Sequence, residues 1–196
     1  FTPRTIAAQY PTSVVFVDDD DLSEVVAVNI YVANVDGDAK FDVLYADDTN
    51  GVLAWNAQGD LDSDPTDWGS SLLIDFDASN KAKWVVAADF DGDGDMDVVA
   101  AKTDGTIPMY ENSLAQSSSV TWTERTPLCS ASCPAVTSVE VFDIDGDQDP
   151  DVLASVEDAD EIRWWQNNGN WAFASSEAVE DRNVDDDITI NKAGYL

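Results

Sequence analysis

Oxygen-bearing side chains recur in this chain at one spacing, three times over. The segments are Asn34-Val-Asp36-Gly-Asp38-Ala-Lys40-Phe-Asp42, Asp89-Phe-Asp91-Gly-Asp93-Gly-Asp95-Met-Asp97 and Asp143-Ile-Asp145-Gly-Asp147-Gln-Asp149-Pro-Asp151. Positions 1, 3, 5 and 9 carry Asp or Asn, so four side-chain oxygens can converge inside one tight turn. The residue at position 7 (Lys40, Asp95 or Asp149) can add its backbone carbonyl. Hard oxygen ligands at this density suit Ca²⁺, which takes six to eight of them, better than Mg²⁺, which keeps several waters and a strict octahedron.

Left alone, such carboxylates repel. Two unit charges about 5 Å apart cost roughly 3 kcal/mol at an effective dielectric near 20, and a divalent ion reverses that sign. A glycine at position 4 (Gly37, Gly92, Gly146) permits the bend. The second and third copies have Asp at all four side-chain positions, whereas the first has Asn34 at position 1 and Lys40 at position 7. Affinity is therefore expected to be weakest in the first. Position 12 is Tyr45, Ala100 or Ala154, where an EF-hand needs a bidentate Glu.

The elements that hold these loops read as short strands. Asp36 and Asp91 are 55 residues apart, and Asp91 and Asp145 are 54 apart. Each loop lies between two β-rich runs: 30–33 and 43–46, 84–88 and 98–101, 139–142 and 152–154. A turn and a third run follow, with Trp55, Tyr110 and Trp164 each 13 residues beyond the last Asp of its loop. That constant offset predicts one core slot used three times. A fourth strand is predicted at 71–76, 120–125 and 171–174. Four strands in about 55 residues, repeated, make propeller-type blades. The predicted fold is all-β, with blades at 28–79, 80–134 and 135–176. Residues 1–27 read as a partial blade or insertion, whose Asp18–Asp21 run lacks the loop spacing, and 177–196 as the start of a further unit. Three clear blades fall short of the four to eight that close a ring. The expectation is a segment of a longer array, with completion by another copy, or an open stack, as the other routes.

Composition narrows the function. The formal net charge is −31, with nine Lys and Arg against 40 Asp and Glu, which disfavours nucleic acid and anionic membrane as partners. No histidine is present, so histidine-dependent catalysis and histidine metal ligation are excluded. Cys129 and Cys133 lie four apart, which is not the C-x-x-C redox spacing, and two cysteines without histidine make a poor zinc site. A small-loop disulfide in an oxidising compartment is expected, with two free thiols as the other state. No apolar run reaches transmembrane length.

The stretch from Asp89 to Ala100, followed by Asp104-Gly and Tyr110-Glu-Asn112, resembles the FG-GAP/VCBS repeats, the calcium-loop blades also found in integrin α-subunit propellers. The similarity covers roughly residues 28–175, without the Phe-Gly and Gly-Ala-Pro signatures of the integrin type. It implies extracellular Ca²⁺-binding propellers serving adhesion or recognition, about three Ca²⁺ sites at the positions named above, and a protein or glycan partner or further copies of the chain. A non-catalytic module for adhesion or structural assembly is the leading expectation. The alternatives are a glycan-binding propeller using some of the seven Trp, with Trp165 the foremost exposed candidate, and an enzyme acting on polysaccharides.

Overall fold

The computed structural model describes residues 28–59, 68–69, 71–117, 119–130, 133 and 135–181. Among the described residues, twelve strands form three four-stranded sheets, and within each sheet the strands lie side by side in chain order. The first blade is β1 (Val28–Ala33), β2 (Asp42–Asp47), β3 (Val52–Asn56) and β4 (Leu72–Phe76). The second is β5 (Ala82–Ala88), β6 (Asp97–Lys102), β7 (Ile107–Asn112) and β8 (Trp122–Cys129). The third is β9 (Val136–Phe142), β10 (Asp151–Val156), β11 (Glu161–Trp165) and β12 (Glu177–Asp181). All neighbouring strands pair antiparallel. A four-residue helix, α1 (Leu114–Ser117), follows β7, and a single 3₁₀ turn (Glu157–Ala159) joins β10 to β11.

The blades stack face to face, with the second in the middle. Strand β6 explains why. Its Val98-Val-Ala-Ala101 run is fully buried, and alternate side chains of a strand serve opposite faces. Val98 and Ala100 share a core with Leu44, Leu53 and Trp55 of the first blade. Val99 and Ala101 share another with Val139, Val152 and Trp165 of the third. Burying one Val or Leu side chain contributes about 1.5–3 kcal/mol, so a strand apolar on both faces belongs in the centre. The first strands β1, β5 and β9 lie next to one another, which brings the three acidic loops to the same end of the stack.

The architecture of four-stranded blades is as the sequence implies, with three corrections. Residues 171–174 are not the outer strand of the third blade. Gly169, Asn170 and Trp171 all have positive φ (80°, 52° and 62°), so the chain curls there, and the strand forms later as β12. The third sheet therefore runs past the expected boundary at 176. The constant 13-residue offset does not mark one slot. Asp47 pairs with Val52 and Val156 with Glu161, which leaves four residues in those turns. In the second blade Lys102 N donates to Thr106 O, which leaves three, 103–105. One residue fewer flips every following side chain to the other face. Tyr110 accordingly faces the first blade, while Trp55 faces the second. Trp165 is not exposed; it is buried in the core between the second and third blades. The expected units at 1–27 and beyond 181 lie outside the described residues.

Two devices brace the second blade, one at its own end and one against the first blade. Cys129, at the end of β8, is disulfide-bonded to Cys133. The Cys133 carbonyl sits so close to the β6–β7 turn that a Cβ on Gly105 (φ +87°) would meet it at 1.9 Å, so only glycine fits. Between the first and second blades, Asp75 accepts hydrogen bonds from Tyr110 Oη (2.8 Å) and pairs with Lys102 Nζ (2.8 Å). Lys102 is largely buried, and Asp75 is its near counter-charge.

Candidate metal centre

Position 9 anchors each loop. Asp42, Asp97 and Asp151 open the second strand of their blades and have no exposed surface. Each carboxylate accepts two backbone N–H groups from separate parts of the blade. Asp97 takes Phe90 N (3.0 Å) through Oδ2 and Asn112 N (2.9 Å) through Oδ1. Asp42 takes Val35 N (2.7 Å) and Gln58 N (2.9 Å), and Asp151 takes Ile144 N (3.0 Å) and Asn167 N (2.8 Å). The residue expected as a ligand is thus also the clasp that ties the loop to the third strand.

The turn itself is built by the other acids. In the second loop Asp89 Oδ1 accepts from Gly92 N and Asp93 N, and Oδ2 from Gly94 N. Asp91 Oδ1 accepts from Asp93 N, and Asp93 Oδ1 from Asp95 N. The third loop repeats every one of these bonds with Asp143, Asp145 and Asp147. Position 4 is left-handed in all three loops (Gly37, Gly92, Gly146), and so is position 6 (Ala39, Gly94, Gln148). Asp95 is further engaged by Ala115 N of α1.

In two loops the carboxylates converge. One oxygen from each of Asp89, Asp91 and Asp97 lies within 4.8 Å of the others, and the same holds for Asp143, Asp145 and Asp151. Asp93 and Asp147 stand outside these triads, although the spacing places them among the ligands. The first loop gathers no such triad among the described residues. Its Asp36 and Asp38 make the same turn bonds, to Asp38 N and Lys40 N. Asp38 is also paired with Lys40 Nζ at 3.2 Å, an internal cation competing for a ligand. Asn34 Oδ1 is buried without a hydrogen-bond partner, an orphaned acceptor at position 1.

Burial raises the proton affinity of three of these carboxylates. It pushes Asp97 up to about 8, against the pull of its two amide donors, and also pushes Asp91 and Asp36 up. A buried carboxylate that resists carrying its own charge, with further oxygens gathered beside it, is matched by a hard divalent cation. The donor set fits Ca²⁺ in the second and third loops and fits it less well in the first.

A family model described as FG-GAP-like repeat matches residues 34–100 and again residues 89–154, which together span more than half of the chain. The chain belongs to the FG-GAP-like repeat family. Each matched unit of these FG-GAP-like repeats starts at position 1 of one acidic loop and ends three residues past position 9 of the next. No curated protein matches the chain.

The FG-GAP-like blades are joined at their loops by residues the motif does not include. Asn112 Nδ2 donates to Val35 O (2.9 Å) in the loop of the preceding blade, and Asn167 Nδ2 donates to Phe90 O (3.0 Å). Both bonds span 77 residues, and both asparagines are fully buried. Each also reaches its own loop, at Met96 O (3.4 Å) and Pro150 O (3.2 Å). The sequence signal was an aromatic-x-Asn at the end of the third strand, Tyr110-Glu-Asn112 and Trp165-Gln-Asn167. The three loops open on one cavity of about 700 Å³, lined by Asn34, Asp89 and Asp143 at position 1 and by Phe41, Met96 and Pro150 at position 8.

Proposed function

We propose that this chain is a non-catalytic, calcium-binding repeat module of an extracellular or cell-surface protein, working in adhesion or structural assembly. The observation that carries the proposal is the pair of carboxylate triads, held in two loops of identical hydrogen-bond pattern. Asp89, Asp91 and Asp97 would hold one Ca²⁺, and Asp143, Asp145 and Asp151 a second. Asn34, Asp36 and Asp42 would hold a weaker third. Asp38, Asp93 and Asp147, with the carbonyls of Lys40, Asp95 and Asp149, remain the proposed supplementary donors. The bound cation offsets carboxylate repulsion and fixes the loop between the first two strands of its blade. Membership of the FG-GAP-like repeat family supports a non-enzymatic module, and the disulfide fits an oxidising compartment. No helix among the described residues is long and apolar enough to cross a membrane.

The partner is a protein, a glycan or further copies of the chain. Trp55 and Trp165 are buried in the blade cores, which removes both as sugar platforms. Phe41, 66% exposed beside the shared cavity, is the more accessible aromatic for partner contact.

The test is calorimetric titration of the chelated protein with CaCl₂. Two sites, or two with a weaker third, are expected. Asp91→Ala should remove one site and Asp145→Ala another. Absence of binding at millimolar calcium, or an unchanged site count in both variants, sinks the proposal.

A further inference from the structure

We infer that the second loop's cation site is finished by the blade that follows it, with Trp171 as the positioning residue for Asp91. The inference rests on calcium binding by that loop and adds to it a donor from outside the motif.

Trp171 lies in the third blade, 80 residues from Asp91, and its indole Nε1 donates to Asp91 Oδ2 at 3.1 Å. Asp91 Oδ1 is already held by Asp93 N. The two bonds fix both oxygens of a carboxylate in the triad. The indole is itself immobilised. Its ring meets Phe90 (centroids 5.5 Å apart), and the Arg125 guanidinium lies 5.6 Å from the ring centroid. Phe173 packs on Phe90 as well, at 5.8 Å. The backbone of Trp171 sits in the left-handed region, with φ 62°. A bulky residue adopts that conformation only where its surroundings hold it there. The curl that displaces the outer strand of the third blade therefore delivers an indole N–H to a ligand of the second.

The three loops differ in this support. The first receives the asparagine bond at Val35 O and the Leu114 side chain near Gly37, but no donor from the next blade to a carboxylate is seen among the described residues. In the third, Ile144 is 43% exposed where Val35 and Phe90 are buried, and Asp145 is held by Gln166 of its own blade. The second loop is thus the most completely braced, and it should bind calcium most tightly.

Hydrogen-bond partners behind a metal ligand typically set about 10–100-fold of the affinity. Trp171→Phe keeps an aromatic ring and removes the donor. It should weaken one calcium site about tenfold and leave the others unchanged, with the melting temperature in excess chelator little altered. Trp171→Tyr, which restores a donor, should recover part of the affinity. Terbium provides the same test in the unaltered protein. The first equivalent bound should give most of the indole-sensitised emission, and Asp91→Ala should remove it. Unchanged site affinities in Trp171→Phe overturn the inference, as does a lowered chelated melting temperature with calcium binding intact, or sensitised emission that rises evenly over all equivalents. A wild-type protein that binds no calcium overturns the functional proposal and this inference together, whereas calcium binding indifferent to Trp171 overturns the inference alone.

Discussion

Chelation of divalent cations is expected to lower the melting temperature of this protein by about 10–20 °C. The size follows from linkage. A cation that binds only the folded state adds about 2.7 kcal/mol per site when its free concentration is a hundredfold above Kd. Two well-formed sites give about 5 kcal/mol, and a chain of this length shifts by about 2–4 °C per kcal/mol. The direction follows from the loops. Without a cation, the triads Asp89, Asp91, Asp97 and Asp143, Asp145, Asp151 crowd like charges within 4.8 Å. Calcium is expected to restore the melting temperature, whereas monovalent salt at the same ionic strength should restore little, because charges within 4.8 Å of one another lie well inside the Debye length of about 10 Å at 0.1 M. Differential scanning calorimetry with calcium, with chelator and with sodium chloride checks this. Equal melting temperatures in all three would remove the stabilising role.

Asp97→Ala is the single substitution with the largest expected cost, about 3–5 kcal/mol in the absence of any cation. The carboxylate has no exposed surface and accepts from Phe90 N and Asn112 N. Its removal leaves two buried amides without partners, and each buried donor left unsatisfied costs about 1–3 kcal/mol. Relief of repulsion from Asp91 and Asp93 offsets part of this. Asp93→Ala is the matched control. Asp93 is half-buried and stands outside the triad, so its loss should cost under about 1 kcal/mol. Urea unfolding of both variants in excess chelator separates the two roles. Equal losses would contradict the assignment of position 9 as the clasp.

The loops were legible because everything they need is contiguous. Oxygen-bearing side chains, glycine and spacing all fall within nine residues, and three copies in register make the pattern distinctive. The blades were legible for a related reason: short apolar runs between turns admit little but antiparallel strands. What escaped the sequence depends on register or on distant partners. One residue fewer in the 103–105 turn sends Tyr110 to the opposite face from Trp55, although both stand 13 residues past their loops. The asparagine bonds span 77 residues and the Trp171 bond 80, and no local pattern reports such a pairing. The position 171–174 reads as a strand from its composition. The left-handed backbone from Gly169 to Trp171 overrides that propensity in favour of contacts with Phe90 and Asp91. Position 5 is the part of the spacing pattern that the triads leave out. Asp93 and Asp147 share the ligand pattern but spend an oxygen each on the next turn amide and lie outside the triads.

The most direct measurement is anomalous scattering from a crystal grown in millimolar calcium. Difference peaks are predicted between Asp89, Asp91 and Asp97 and between Asp143, Asp145 and Asp151, with a weaker peak or none beside Asp36 and Asp42. Flat density at both triads, in a crystal whose loops are otherwise well ordered, would contradict the role assigned to these FG-GAP-like blades.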